Sequence, residues 1–239
     1  MLALGVSPDG RLVLTGDDAG TVQVWELLTG KLVMSVRGHR GVVASVRVSP
    51  DGKLLATGGY DPVAYTWSLK PAAAPDRPLD RLAGDNAERA WEAMWALAAD
   101  PEGPKLLRVR FTRIDWPMAE TVQGWIADLD HPTFARREVA SGSLSRAGVL
   151  AEPAVRRALQ GKPTAEARER LEKVLAGIPR RRPSGDDVVH SRAVQAMELA
   201  GTAAAREVLR EWAAGADGAW FTVEARAALG RLRERAPAE

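Results

Sequence analysis

The sequence has no cysteine, which removes disulfide bonds, thiolate zinc sites and cysteine nucleophiles together. Histidine is nearly as scarce, and His39, His131 and His190 each stand apart from any second ligand at metal spacing. No stretch approaches the ~18 consecutive apolar residues of a membrane span. The first twenty residues carry Asp9, Asp17 and Asp18 in a strand-like pattern, not a basic start followed by an apolar core. A cytoplasmic protein with no membrane attachment is therefore expected. Charge of one sign is also missing. The 33 Lys/Arg against 31 Asp/Glu leave a net charge of +2. Residues 1–70 hold seven basic and six acidic residues, and the remainder holds 26 and 25. Neither part has the sustained positive field that drives general nucleic-acid binding. His-Glu-x-x-His, Gly-x-Ser-x-Gly and a phosphate loop ending in Lys-Ser/Thr are all absent. Ser141-Gly142-Ser143-Leu144-Ser145 offers hydroxyls but no base, and the pairs Asp17-Asp18 and Asp186-Asp187 read as turn and helix-start chemistry. No catalytic residue, metal site or cofactor is expected.

What the first seventy residues do contain is one unit written twice. Ser7-Pro8-Asp9-Gly10 returns as Ser49-Pro50-Asp51-Gly52, and Trp25 returns as Trp67, each 42 residues later. Leu12, Leu14, Thr15 and Gly16 come back as Leu54, Ala56, Thr57 and Gly58. Apolar-rich runs over 2–6, 12–15, 21–27, 32–36, 42–48, 54–58 and 63–69 read as strands, separated by Gly, Pro and Asp turn residues. A repeat of about 40–45 residues ending in Trp marks a β-propeller blade. The spacing predicts one four-stranded blade and three strands of a second.

Residues 1–70 resemble the WD-repeat family. In that family a His, a Ser/Thr, an Asp and the Trp of each repeat form a hydrogen-bonded tetrad. His39, Thr57, Asp61 and Trp67 fall at the matching positions, so the resemblance implies a structural tetrad in the second unit. In the first unit Ala19 stands where the Asp belongs, and Glu26 and Ser68 replace the usual Asp after the Trp. A catalytic His39–Asp61 pair is the competing reading, and it lacks a nucleophile in the same unit. Such propellers close with about 4–8 blades. Two blades leave open edges, and three accounts follow: missing N-terminal blades, edge-strand pairing with another chain, or sheets leaning on the helical region. The first is favoured.

Residues 71–84 are Pro-rich, predicting an extended, semi-rigid linker. Beyond it the hydrophobic period changes to that of helices. Asp85-Asn86-Ala87-Glu88 has capping-box spacing and opens a helix to about residue 99, with Trp91, Met94 and Trp95 on its apolar stripe. Further helices are predicted over 104–111, 118–128, 132–147, 153–160, 164–176, 186–200, 202–214 and 222–234. The Ser141–Ser145 patch is expected to bend or fray the fourth of these, counting from residue 85. Thr164, Ser184, Thr202 and Thr222 are N-cap candidates. An Ala-Arg-x-x-apolar core recurs at Ala135, Ala167, Ala205 and Ala225, predicting close helix approach with the guanidinium capping or covering the groove.

From Leu129-Asp130-His131-Pro132 through Arg137 and Ala140 to Gly148, the chain resembles a bacterial HEAT-like repeat. More broadly, residues 82–232 are similar to the helical region that follows WD repeats in planctomycete-type bacterial proteins. The matching stretches include Trp125–Asp130, Ala151–Ala154 and Glu224–Leu229. That resemblance implies an architecture and no reaction. The fold class is thus β plus α in two domains: two partial WD-repeat β-propeller blades of antiparallel sheet at 1–70, a linker at 71–84, and an all-α HEAT-like helical solenoid at 85–235. The expected function is a non-enzymatic scaffold for protein partners, as the C-terminal part of a larger WD-repeat protein. The alternative is a nucleic-acid-binding or regulatory module using the basic loop Arg180, Arg181 and Arg182, extended by Arg156, Arg157, Arg168 and Arg170 if those converge. Removing any arginine that binds a phosphate there would reduce the salt slope by about 0.7–0.9.

Overall fold

The recurring Ser-Pro-Asp-Gly is a turn with one geometry in both copies. Gly10 and Gly52 adopt φ of 73° and 72°, and each donates its N–H to the Ser carbonyl three residues back at 2.9 Å. The Ser hydroxyl then accepts the amide of Leu12 or Leu54 at 2.9 Å, and the Asp carboxylate accepts that of Arg11 or Lys53 at 3.1 Å. Each orphaned donor of the reversal has an acceptor, which is why these four residues recur together.

The computed structural model describes residues 2–72, 74–111, 119–178 and 185–235. The turns join β1 (Ala3–Val6), β2 (Leu12–Gly16), β3 (Thr21–Glu26) and β4 (Lys31–Arg37) into an antiparallel sheet in chain order. A second sheet is built the same way from β5 (Val43–Val48), β6 (Leu54–Gly59) and β7 (Ala64–Ser68). Partial WD-type blades of four and three strands therefore precede an all-α region, as expected. Alternation sets the faces. In the first sheet Ala3, Leu12, Leu14, Val22 and Val24 are buried, while Trp25 lies on the opposite face with Val6, Val13 and Leu32 in register. The second sheet packs on the buried side through β5 against β1 and β2. A Cβ on Gly16 would come within 2.7 Å of Val43, and one on Gly5 within 3.1 Å of the Val46 side chain. Glycine at both positions lets the sheets close.

Two compact units emerge. The first comprises Met1–Phe111, Pro183–Leu209 and Ala227–Glu239, so it joins both sheets to helices far along the chain. Its helices include α1 (Pro78–Leu82), α2 (Ala87–Ala99), α3 (Gly103–Phe111) and α8 (Gly185–Ala200). α2 is buried almost all round, with Ala90, Trp91, Ala93, Met94 and Leu97 at most 4% exposed, because it packs on β4, α1, α3 and α8. The Trp91 indole donates to the Leu69 carbonyl at 2.8 Å, fastening α2 to the chain leaving β7. The linker is not extended throughout: Pro78 starts α1, where its fixed φ suits a first turn and its missing N–H costs little. The cap of α2 also falls one residue later than predicted. Asn86 accepts the Arg89 amide at 3.0 Å, while Asp85 faces Lys31 at 3.4 Å.

The second unit comprises Thr112–Arg182 and Arg210–Arg226. Within it α4 (Ala119–Asp128), α5 (Phe134–Ala147), α6 (Glu152–Gln160) and α7 (Ala165–Gly177) share a core of Val122, Leu129, Leu144, Val155, Leu171 and Val174. α5 runs without a break through Ser141–Ser145, so the patch does not fray it. Ser141 accepts from Arg170 at 3.1 Å and Ser143 from Arg146 at 3.1 Å, so those hydroxyls are occupied by guanidinium groups. α9 (Ala203–Ala213) and α10 (Trp220–Glu234) contribute to both units. Thr164 and Thr202 cap their helices at 3.2 Å. Thr222 instead lies inside the first turn of α10, 2% exposed, and Ser184 is outside the described residues. The Ala-Arg pattern has the anticipated consequence at two sites. Ala205 and Ala225 are fully buried, and Arg206 and Arg226 donate to the carbonyls of Gly201 and Ala213 at the ends of the preceding helices. Ala135 is exposed.

Candidate functional site

His39, Thr57, Asp61 and Trp67 are brought together by the β4–β5 connection, β6, the β6–β7 turn and β7. His39 Nδ1 lies 2.6 Å from Asp61 Oδ1, and Nε2 lies 2.9 Å from Thr57 Oγ1. Trp67 Nε1 donates to the same hydroxyl at 3.1 Å. The carboxylate only accepts, so the ring proton sits on Nδ1; Nε2 then accepts from Thr57, whose oxygen accepts the indole N–H. The Arg40 amide donates to the other carboxylate oxygen at 3.0 Å. That backbone bond and the His39 bond hold the Asp61 carboxyl below the usual carboxylate range. The chain of bonds leaves no polar atom of the imidazole free for a substrate. In the first repeat only the Trp25–Thr15 bond remains, at 3.1 Å.

Arg180, Arg181 and Arg182 lie outside the described residues. Arg156 pairs with Glu152 at 2.6 Å, Arg157 with Asp217 at 2.6 Å, and Arg170 with Glu138 at 2.6 Å and Glu166 at 3.0 Å. Three of the four flanking arginines are thus neutralised by carboxylates. His131 accepts the Thr133 amide at the entrance to α5, and His190 is half-buried against Phe111. Among the described residues no three His, Asp or Glu side chains gather to hold a metal ion, and no helix is long and apolar enough to cross a membrane.

Two features have no counterpart in the sequence pattern. One is a buried ion cluster in the first unit. Glu198 on α8 accepts from Arg11 at 2.9 Å, from Arg231 at 2.8 Å and from Arg235 at 2.9 Å, with its own side chain 3% exposed. Nearby, Arg192 clasps both oxygens of Glu26 at 2.7 and 2.8 Å and donates to the carbonyls of Leu82 and Gly84. Glu26 sits where the usual Asp is replaced, and that substitution was the one local signal of this pairing. The second feature is an open apolar face. Leu2, Leu4 and Val6 are 57–58% exposed along the β1 edge of the first sheet, on the Trp25 side.

The family model for the WD domain, G-beta repeat matches residues 2–26 and 30–68, the span of the two sheets. An uncharacterized WD repeat-containing protein of Nostoc sp. is 44% identical over 45 residues, covering 19% of this chain and 3% of that protein. Ribosome biogenesis protein erb1 of Neosartorya fischeri is 59% identical over 34 residues, 14% of this chain and 4% of that protein. The chain thus spans 3–4% of the length of these curated relatives. Among solved structures, the computationally designed Ika4 protein aligns with a TM-score of 0.25 and 29% identity, over 28% of this chain and 39% of that one. WD repeats in general mediate protein–protein interaction and carry no catalytic chemistry of their own.

Proposed function

We propose that this chain is a non-enzymatic scaffold for protein–protein interaction, the C-terminal part of a larger WD-repeat protein of the bacterial cytoplasm. The observation that carries this reading is the Leu2–Leu4–Val6 face. Side chains of this size, contiguous on one sheet face, mark an interaction surface more often than a solvated one. The tetrad of His39, Thr57, Asp61 and Trp67 serves as an internal tie of the second blade, and the helices of residues 85–235 form a HEAT-like array offering a second docking surface. The neighbouring packing of α4, α5, α6 and α7 supports that array.

Immobilised wild-type chain and a Leu4→Asp/Val6→Asp variant, both exposed to lysate of the source cells, test the scaffold reading. Proteins retained by wild type are expected to be lost from the variant while its thermal unfolding is unchanged. Identical retention by both chains would overturn it.

A further inference from the structure

β4 is the last strand of its sheet, so its only ladder is the one it forms with β3. Alternate residues of such a strand turn both N–H and C=O away from the sheet. Among the described residues no backbone group beyond β3 pairs with those of β4. A cavity of about 350 Å³ opens along this strand, and Val33, Met34 and Ser35 all line it. Successive side chains of a strand point to opposite faces, so three in a row mark an opening on the edge rather than on one face.

The rest of the lining has two characters. Val33, Leu69 and Trp91 are at most 4% exposed and make it apolar, and the bond from the Trp91 indole to the Leu69 carbonyl fixes the ring. Glu88 and Glu92, one turn apart on α2, line it as well. Neither carboxylate has a hydrogen-bonding or ionic partner among the described residues. Lys70 is the single cation of the lining, and one Lys against two Glu leaves the cavity negative.

We propose that this cavity docks an extended segment of a partner protein, which adds a strand to the free edge of β4 and presents a lysine or arginine to Glu88 and Glu92. Main-chain bonds to β4 supply the part of the recognition that any sequence can make, and the basic side chain supplies the selectivity. Its aliphatic stem lies on the apolar lining while its charge reaches the carboxylates. An acidic segment would bring like charge to Glu88 and Glu92. A second copy of this chain is a poor occupant too. Two β4 strands paired antiparallel about Met34 would set Lys31 of one opposite Arg37 of the other. The site lies at the opposite edge of the first sheet from β1 and its Leu2–Leu4–Val6 row, so it adds to the scaffold reading a second place with a partner of defined chemistry.

Fluorescence anisotropy of the purified full chain with a blocked, labelled peptide, Thr-Val-Arg-Val-Arg-Val-Thr, tests this. The peptide is expected to bind saturably and to slow hydrogen exchange of the β4 amides. Glu88→Gln/Glu92→Gln should weaken binding about tenfold or more while thermal unfolding is unchanged. The same peptide with every amide N-methylated should not bind the wild-type chain, and neither should the counterpart with glutamate in place of arginine. Absence of binding, equal affinity in the glutamine variant, or retained binding of the methylated peptide would overturn the proposal. Protection confined to β1 or β7 would place the peptide at another edge and overturn it as well. The methylated peptide is measured on wild type alone, so its result stands even where the variant fails to fold. Leu4→Asp/Val6→Asp is expected to leave peptide binding unchanged, so this site and the scaffold reading of the β1 edge fail separately.

Discussion

Glu198 holds three guanidinium groups within 2.9 Å while almost wholly removed from water. Burial alone would raise its pKa, but the Arg231 hydrogen bond and the charges of Arg11 and Arg231 outweigh that and hold it below the usual Glu value. Asp9 is lowered in the same way, its burial outweighed by Arg11 and Ser7. A carboxylate whose folded pKa is depressed stabilises the fold above its unfolded pKa, and that contribution is lost as pH falls through the folded value. Stability is therefore expected to decline below about pH 4, where unfolded carboxylates titrate, as read from urea midpoints across pH. Glu198→Ala should remove about 1–3 kcal/mol, because charge-assisted hydrogen bonds are lost while Arg11 keeps Asp9 and Arg231 and Arg235 stay partly open to water, and should flatten the acid decline. In the tetrad, Thr57→Val leaves both the Trp67 N–H and His39 Nε2 unpaired, at a cost of about 1–3 kcal/mol. Thr15→Val leaves a single indole and should cost less, a comparison that urea unfolding of the two variants would make.

At the scale of elements, how much was legible depended on whether the cause was local. The strands read correctly because the Ser-Pro-Asp-Gly turn closes on its own hydroxyl and carboxylate, within six residues. The helices likewise followed from caps and apolar period, with errors of a residue or so at Asn86 and a missed turn at Pro78. The glycines of the first sheet gave no such warning. Gly5 read as an ordinary strand residue and Gly16 fell just beyond the predicted strand at 12–15, although they are where the two sheets meet. Gly16→Ala should cost about 1–3 kcal/mol through overpacking against Val43. Gly58→Ala, its repeat equivalent, meets only the Ser45 hydroxyl at 3.0 Å and should cost little. Denaturant midpoints for the pair would check the packing.

The whole molecule is where sequence reasoning stopped short. Arg11 and Glu198 are 187 residues apart, and Glu26 and Arg192 are 166 apart. Nothing in local pattern pairs such residues, so a boundary near residue 70 looked natural while α8 was supplying carboxylate and guanidinium partners to the first blade. A chain cut after Lys70 would leave β4 without α2, Arg11 without Glu198 and Glu26 without Arg192. It is expected to show no cooperative thermal transition by circular dichroism, and a sharp transition in that fragment would mean the blades fold alone.

The account turns on which sheet face is covered when the protein is at work. Hydroxyl-radical footprinting of the protein as isolated from its own cells, compared with the purified chain, reads this at Leu4 and Val6. Both should react in the purified chain and be protected in the native assembly. Equal reactivity of Leu4 in the two samples would contradict it.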